Sequence, residues 1–156
     1  MTAMTQSTTR FLTMLSRTFC NDQLEQLARH FTYPLPTYTQ GELLVFGTSN
    51  TLIEAMTLYR EAARQADIQV ITPRVIASGL PRKGYSTLWV EWDHYDGAGT
   101  HICTSQVRYA TFQDKMALMP RIEMIDYTAL GFPEVTDALP LYNTINNPEA
   151  MRAINR

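Results

Sequence analysis

Lysine is nearly absent from this chain: only Lys83 and Lys115 occur, and arginine supplies the remaining basic charge. Fifteen acidic residues against thirteen basic ones give a formal net charge of −2, with no block of like charge. That balance argues against nucleic-acid binding, which needs a basic stripe to neutralise phosphates. Cysteine is scarce as well. Cys20 and Cys103 make neither a disulfide framework nor a metal motif, and they read as reduced thiols packed as small apolar groups. No apolar run is long enough to cross a bilayer, and the polar, threonine-rich stretch from Met1 to Arg10 lacks the apolar centre of a signal peptide. The expectation is a cytoplasmic protein without membrane contact. Phosphate loops, zinc motifs and nucleophile elbows are missing too. The expected cofactor set is empty, and no metal is expected.

What is present is an ordered change of periodicity. At 156 residues and 45% hydrophobic content, the chain can bury a core as one domain. Phe11, Leu12, Leu15 and Phe19 recur at helical spacing, predicting a first helix over Ser7–Cys20 after a loose lead-in at 1–6. Asp22 followed by Glu25 predicts a capping box for a second helix carrying Leu24, Leu27, Ala28 and Phe31. Pro34 and Pro36 then force an extended segment. A short strand at Leu43–Phe46 leads to a third helix, capped by Ser49 and running to about Ala66.

From Ile68 onward the pattern alternates. Gln69–Ser78 predicts a strand broken by Pro73, and Tyr85–Tyr95, His101–Phe112 and Ala117–Thr128 predict a three-strand meander. Helices first and an antiparallel sheet second give an α+β fold class, with the helices on one face of the sheet and a cone-shaped pocket between. The organisation is a flexible 1–6, a domain over 7–130, and a largely irregular tail over 131–156 in which Asn147-Pro148 could start a short helix.

If both hairpin loops are even, cross-strand neighbours share faces predictably. The inner face then collects Leu88, Val90, Trp92 and His94, then His101, Cys103, Ser105, Val107 and Tyr109. From the last strand it takes Leu118, Pro120, Ile122, Met124 and Asp126. The outer face receives Glu91, Asp93, Arg108, Arg121 and Glu123, suited to solvent or a polar dimer interface. Asp126 on an apolar wall would have a raised pKa and could serve as acid or base. The alternative is that it caps the strand's open end. His94 and His101 flank the hairpin tip as a possible metal pair lacking a third ligand, or simply as exposed tip residues. The expected ligand pocket is Tyr33, Tyr38, Tyr59, Trp92, Cys103, Tyr109 and Met124. The catalytic candidates are Asp126, His94 and Tyr38, with Tyr38 or Tyr109 donating to an oxyanion.

Over roughly Ser7 to Thr128 this element order resembles the nuclear transport factor 2-like superfamily. The spacing of Phe31, Gly47 and the third helix reinforces it. The strand ending Ile122-Glu123-Met124-Ile125-Asp126-Tyr127-Thr128-Ala129-Leu130-Gly131 is similar to that of its SnoaL-like, polyketide-cyclase-like branch. The resemblance implies three N-terminal helices on a curved, mostly antiparallel sheet around a pocket, and frequent homodimerisation through the outer sheet face. It also implies a membership that mixes isomerases, dehydratases, cyclases, epoxide hydrolases and non-catalytic modules. Steroid-isomerase-like relatives place an acid after the second helix. Here Tyr38 and Thr39 stand there, and no aspartate occurs between Asp22 and Asp67. Cyclase-like relatives show Tyr-Asp before Leu-Gly, whereas here Tyr127 precedes Thr128 and the acid is Asp126. The reading favours a small hydrophobic ligand. The alternatives are a cofactor-independent isomerase, dehydratase or cyclase, and a homodimeric accessory module.

Overall fold

The computed structural model describes residues 3–39 and 41–131. The expected tail helix at Asn147-Pro148 lies outside the described residues. Helix α1 spans Ala3–Cys20, α2 Leu24–Ala28 and α3 Ser49–Gln65. The strands are β1 Leu35–Thr39, β2 Glu42–Phe46, β3 Val70–Ser78, β4 Tyr85–Tyr95, β5 His101–Phe112 and β6 Arg121–Ala129. They form one curved six-stranded sheet in the order β2-β1-β6-β5-β4-β3, antiparallel except where β1 runs parallel to β6. The fold is α+β, with the third helix lying between β2 and β3 in the chain.

Several local expectations are corrected. Helix α1 already begins at Ala3, so most of the expected loose lead-in is helical. Asp22 does not cap α2: its backbone takes a left-handed φ of 60°, Gln23 occupies the cap without a side-chain bond, and the helix is only five residues long. Asp22 instead faces Arg60, at 3.6 Å, and Arg64. The cap of α3 is Thr48 rather than Ser49, in a reciprocal box with Thr51. The last strand starts at Arg121, and Leu118 is 95% exposed in the preceding turn.

One apolar cluster joins the elements. Phe11, Leu12, Leu15 and Phe19 of α1 and Leu52, Ala55 and Ala63 of α3 share it with Val90, Trp92, Val107, Tyr109, Ile122 and Ile125 of the sheet. Buried Arg60 pins three segments: Nη2 donates to the Cys20 carbonyl at 3.0 Å, Nη1 donates to the Ile68 carbonyl at 3.2 Å, and the guanidinium lies over the Phe19 ring. Ser16 Oγ donates to the Ile71 carbonyl and ties α1 to β3.

Candidate functional site

The β4–β5 hairpin carries the faces that alternation predicts. Leu88 opposes Tyr109, Val90 opposes Val107, Trp92 opposes Ser105, and His94 opposes Cys103. All four pairs face inward, and all but Cys103 are buried. Beyond His94 the register slips, and Tyr95 opposes His101. This bulge corrects the expected pairing of the two histidines. His101 turns to the outer face, where Nε2 lies 2.8 Å from Thr104 Oγ1 and 3.7 Å from Asp93 Oδ1. His94 is not a tip residue at all, being 1% exposed. Among the described residues no cluster of three or more metal-ligating side chains occurs.

A second bulge changes the site more. Thr111 opposes Ile122, but Ala110 opposes Met124, so Glu123 is an extra residue in β6. Every later side chain of β6 therefore flips. Ile125 and Tyr127 face inward, opposite Tyr109 and Val107, while Met124 and Asp126 face outward. Asp126 is accordingly absent from the pocket wall: its Oδ2 lies 3.2 Å from Arg108 Nη2 on the outer face. Met124 is likewise removed from the pocket.

The cavity under the sheet has a volume of about 90 Å³. Leu15, Ser16 and Phe19 of α1, Leu27 of α2, and Met56 and Tyr59 of α3 form one wall. The sheet supplies Ile71, Trp92, His94, Ser105, Val107, Tyr109, Ile125 and Tyr127, and Phe31 closes an edge. Of the seven expected pocket residues, Tyr59, Trp92 and Tyr109 line it. Tyr33 packs on the core beside it and donates to the Ala28 carbonyl at 2.7 Å. Cys103 packs on the core opposite His94 without lining the cavity. Tyr38 is 38% exposed, because Thr37 and Thr39 take the inward positions of β1.

The polar groups in the cavity are few and placed. Trp92 Nε1 donates to Tyr109 Oη at 2.9 Å. Because indole is only a donor, the tyrosine oxygen accepts and its own proton stays available. Burial pushes the Tyr109 hydroxyl well above its ordinary pKa, so it remains protonated near neutrality. Burial raises Tyr59 likewise, and lifts Tyr127 to about 12. His94 Nδ1 lies 2.9 Å from the Trp92 carbonyl. A carbonyl can only accept, so Nδ1 donates to it in the tautomer that places the ring proton there, and the Cys103 backbone is a second partner of the ring. Burial lowers the His94 pKa and outweighs the Trp92 and Cys103 backbones, which favour the charged ring. Ser105 Oγ accepts from Gly131 N at 3.1 Å. A side chain at 131 would collide with the Thr104 carbonyl, which explains glycine there.

Sequence reasoning missed Ser16, Thr37, Thr39 and Tyr127 as inward polar groups. A signal for the last existed. Ile122 and Ile125 are three apart, an odd interval that strict alternation cannot bury twice on one face.

No protein-family model matches the sequence, and comparison with curated proteins gave no match. Solved structures do resemble the fold. Aln2 from a Streptomyces species matches with a TM-score of 0.57 and 12% identity over 81% of this chain and 90% of that one. A domain of unknown function with a cystatin-like fold from Nostoc punctiforme matches at 0.58 and 15% identity, over 99% and 94% of the two chains. A nuclear transport factor 2-like protein of unknown function from Shewanella oneidensis matches at 0.57 and 10% identity, over 78% and 96%. No helix among the described residues is long and apolar enough to cross a membrane. The described chain has the fold of the nuclear transport factor 2-like superfamily.

Proposed function

We propose that this protein binds a small hydrophobic molecule in the cavity between helices and sheet. The observation that carries the reading is the wall chemistry: apolar and aromatic side chains dominate, and the Trp92–Tyr109 pair offers one directed hydrogen-bond donor among them. The similarity of residues 122–131 to the SnoaL-like branch points the same way. Native mass spectrometry of protein purified from its source cells tests it, with Trp92→Ala as the control. The reading predicts a retained ligand in the wild type and its loss from the variant. Equal retention by both would overturn the pocket assignment.

A second reading is favoured by His94. A neutral imidazole on an apolar cavity wall that also carries a protonated tyrosine is an arrangement suited to moving protons on a carbonyl compound without a cofactor. In this reading the base is His94 and the donor is Tyr109. Asp126 and Tyr38 have no part, because they lie across the sheet. The test is α-hydrogen exchange of cyclohexanone in heavy water, followed by NMR. Acceleration by the wild type and its loss in folded His94→Gln support the role, and equal exchange with and without protein sinks it.

A third reading concerns a homodimer. Trp89, Arg108, Asp126, Tyr38 and Leu43 lie opposite one another in a single row across five strands of the outer face. Trp89 is 41% and Leu43 45% exposed, so an ion pair sits between apolar groups, as at many interfaces. Sedimentation should give a dimer that Trp89→Glu dissociates. A monomer at every concentration would contradict it.

A further inference from the structure

Thr37 and Thr39 occupy alternate, inward positions of β1 and are 3% and 4% exposed. Neither Oγ1 has a hydrogen-bond partner among the described residues. Both line a side cleft of about 20 Å³, together with Met56, Tyr59, Ile125 and Tyr127. Those same four residues also line the main cavity, so the cleft adjoins it. Valine has nearly the volume of threonine, and packing alone would favour it here, because a buried hydroxyl without a partner is unfavourable. We infer that Thr37 and Thr39 form a polar subsite that takes a hydroxyl or keto oxygen of the bound molecule.

The inference deepens the pocket reading and rests on it. Thr37 opposes Ile125, which in turn opposes Tyr109, so the backbones that carry the two hydrogen-bonding stations are two strand spacings apart, roughly 10 Å across the sheet. A threonine hydroxyl both donates and accepts, and Tyr109 keeps a proton to donate. Neither cleft has an arginine or lysine among its lining residues, so a carboxylate or phosphate would be buried unpaired. The ligand class that fits is a neutral ring compound carrying oxygen at one or both ends.

The test uses p-cresol and p-xylene, which differ by a hydroxyl in place of a methyl group of similar size. Their affinities are measured by calorimetry on the full chain and on a Thr37→Val/Thr39→Val double variant. The expectation is that the wild type prefers p-cresol by about three- to tenfold, and that the variant loses this preference while keeping p-xylene. The ligand-free variant should melt no lower than the wild type. An unchanged preference in the variant would overturn the subsite, as would equal binding of both probes by the wild type, each leaving the pocket reading intact. A lower melting temperature would assign the hydroxyls a structural role instead. Failure of the wild type to bind either probe would overturn the pocket reading and the subsite together.

Discussion

Trp92 Nε1 and Tyr109 Oη meet at 2.9 Å in the buried wall of the cavity, one from β4 and one from β5. The pairing satisfies the indole donor and leaves the tyrosine proton directed by its neighbour. Tyr109→Phe removes that proton and also orphans the Trp92 N–H. The fold should tolerate the change with a stability loss of about 1–3 kcal/mol. Affinity for a carbonyl-bearing probe such as cyclohexanone should fall about three- to tenfold, with little change for an apolar probe such as p-xylene. Parallel titrations of the two probes check it, and an equal loss for both would show that the ring, not the hydroxyl, matters.

His94 makes stability depend on pH. Its folded pKa lies below the ordinary 6.5, so below that pH the unfolded chain takes up a proton that the folded ring refuses. Stability should therefore fall as pH drops below about 6.5, with a limiting slope near 1.4 kcal/mol per pH unit, until the folded pKa is reached. His30 shifts in the same direction, through burial and then Arg121, and Asp93 and His101 also act on His94. Subtracting a His94→Gln denaturation series from the wild type isolates the His94 part. A difference that stays flat from pH 7 to 5 would mean His94 is hydrated in the folded state.

Arg60 should be among the most costly residues to truncate outside the cavity. Its guanidinium holds the end of α1 and the entry to β3 through two backbone carbonyls. Arg60→Ala leaves those acceptors unpaired and opens space beside Phe19. Urea denaturation should show a loss of about 2–4 kcal/mol. A change below about 0.5 kcal/mol would show that water replaces the bonds without cost.

Asp126 tests the strand register. Asp126→Asn weakens an ion pair with Arg108 on the outer face and touches nothing in the cavity. Binding of p-xylene should be unchanged within about twofold. A larger loss would place the carboxylate's influence inside the pocket, against the observed face.

How far the sequence could lead is set by those registers. Element order was legible because helical and alternating periods leave distinct marks, and the β4–β5 faces followed from alternation around a single hairpin. Asp126, Met124 and His101 were misplaced for one reason. Inserting a single residue into a strand costs little locally but reverses every side chain beyond it. Tyr38 was misplaced for another. Burying a tyrosine is the more favourable choice on hydrophobic grounds, yet β1 turns Thr37 and Thr39 inward and Tyr38 outward. Departures from local preference of this kind concentrate where a protein has something to bind.

The cavity as a binding site is tested most directly by the indole N–H resonances during a titration with p-cresol. The chain has two tryptophans, Trp92 in the cavity wall and Trp89 on the outer face, so one reports and the other serves as control. The account predicts a saturable shift of the Trp92 signal with Trp89 unmoved. A Trp92 signal that stays fixed at saturating probe, or a shift confined to Trp89, would contradict it.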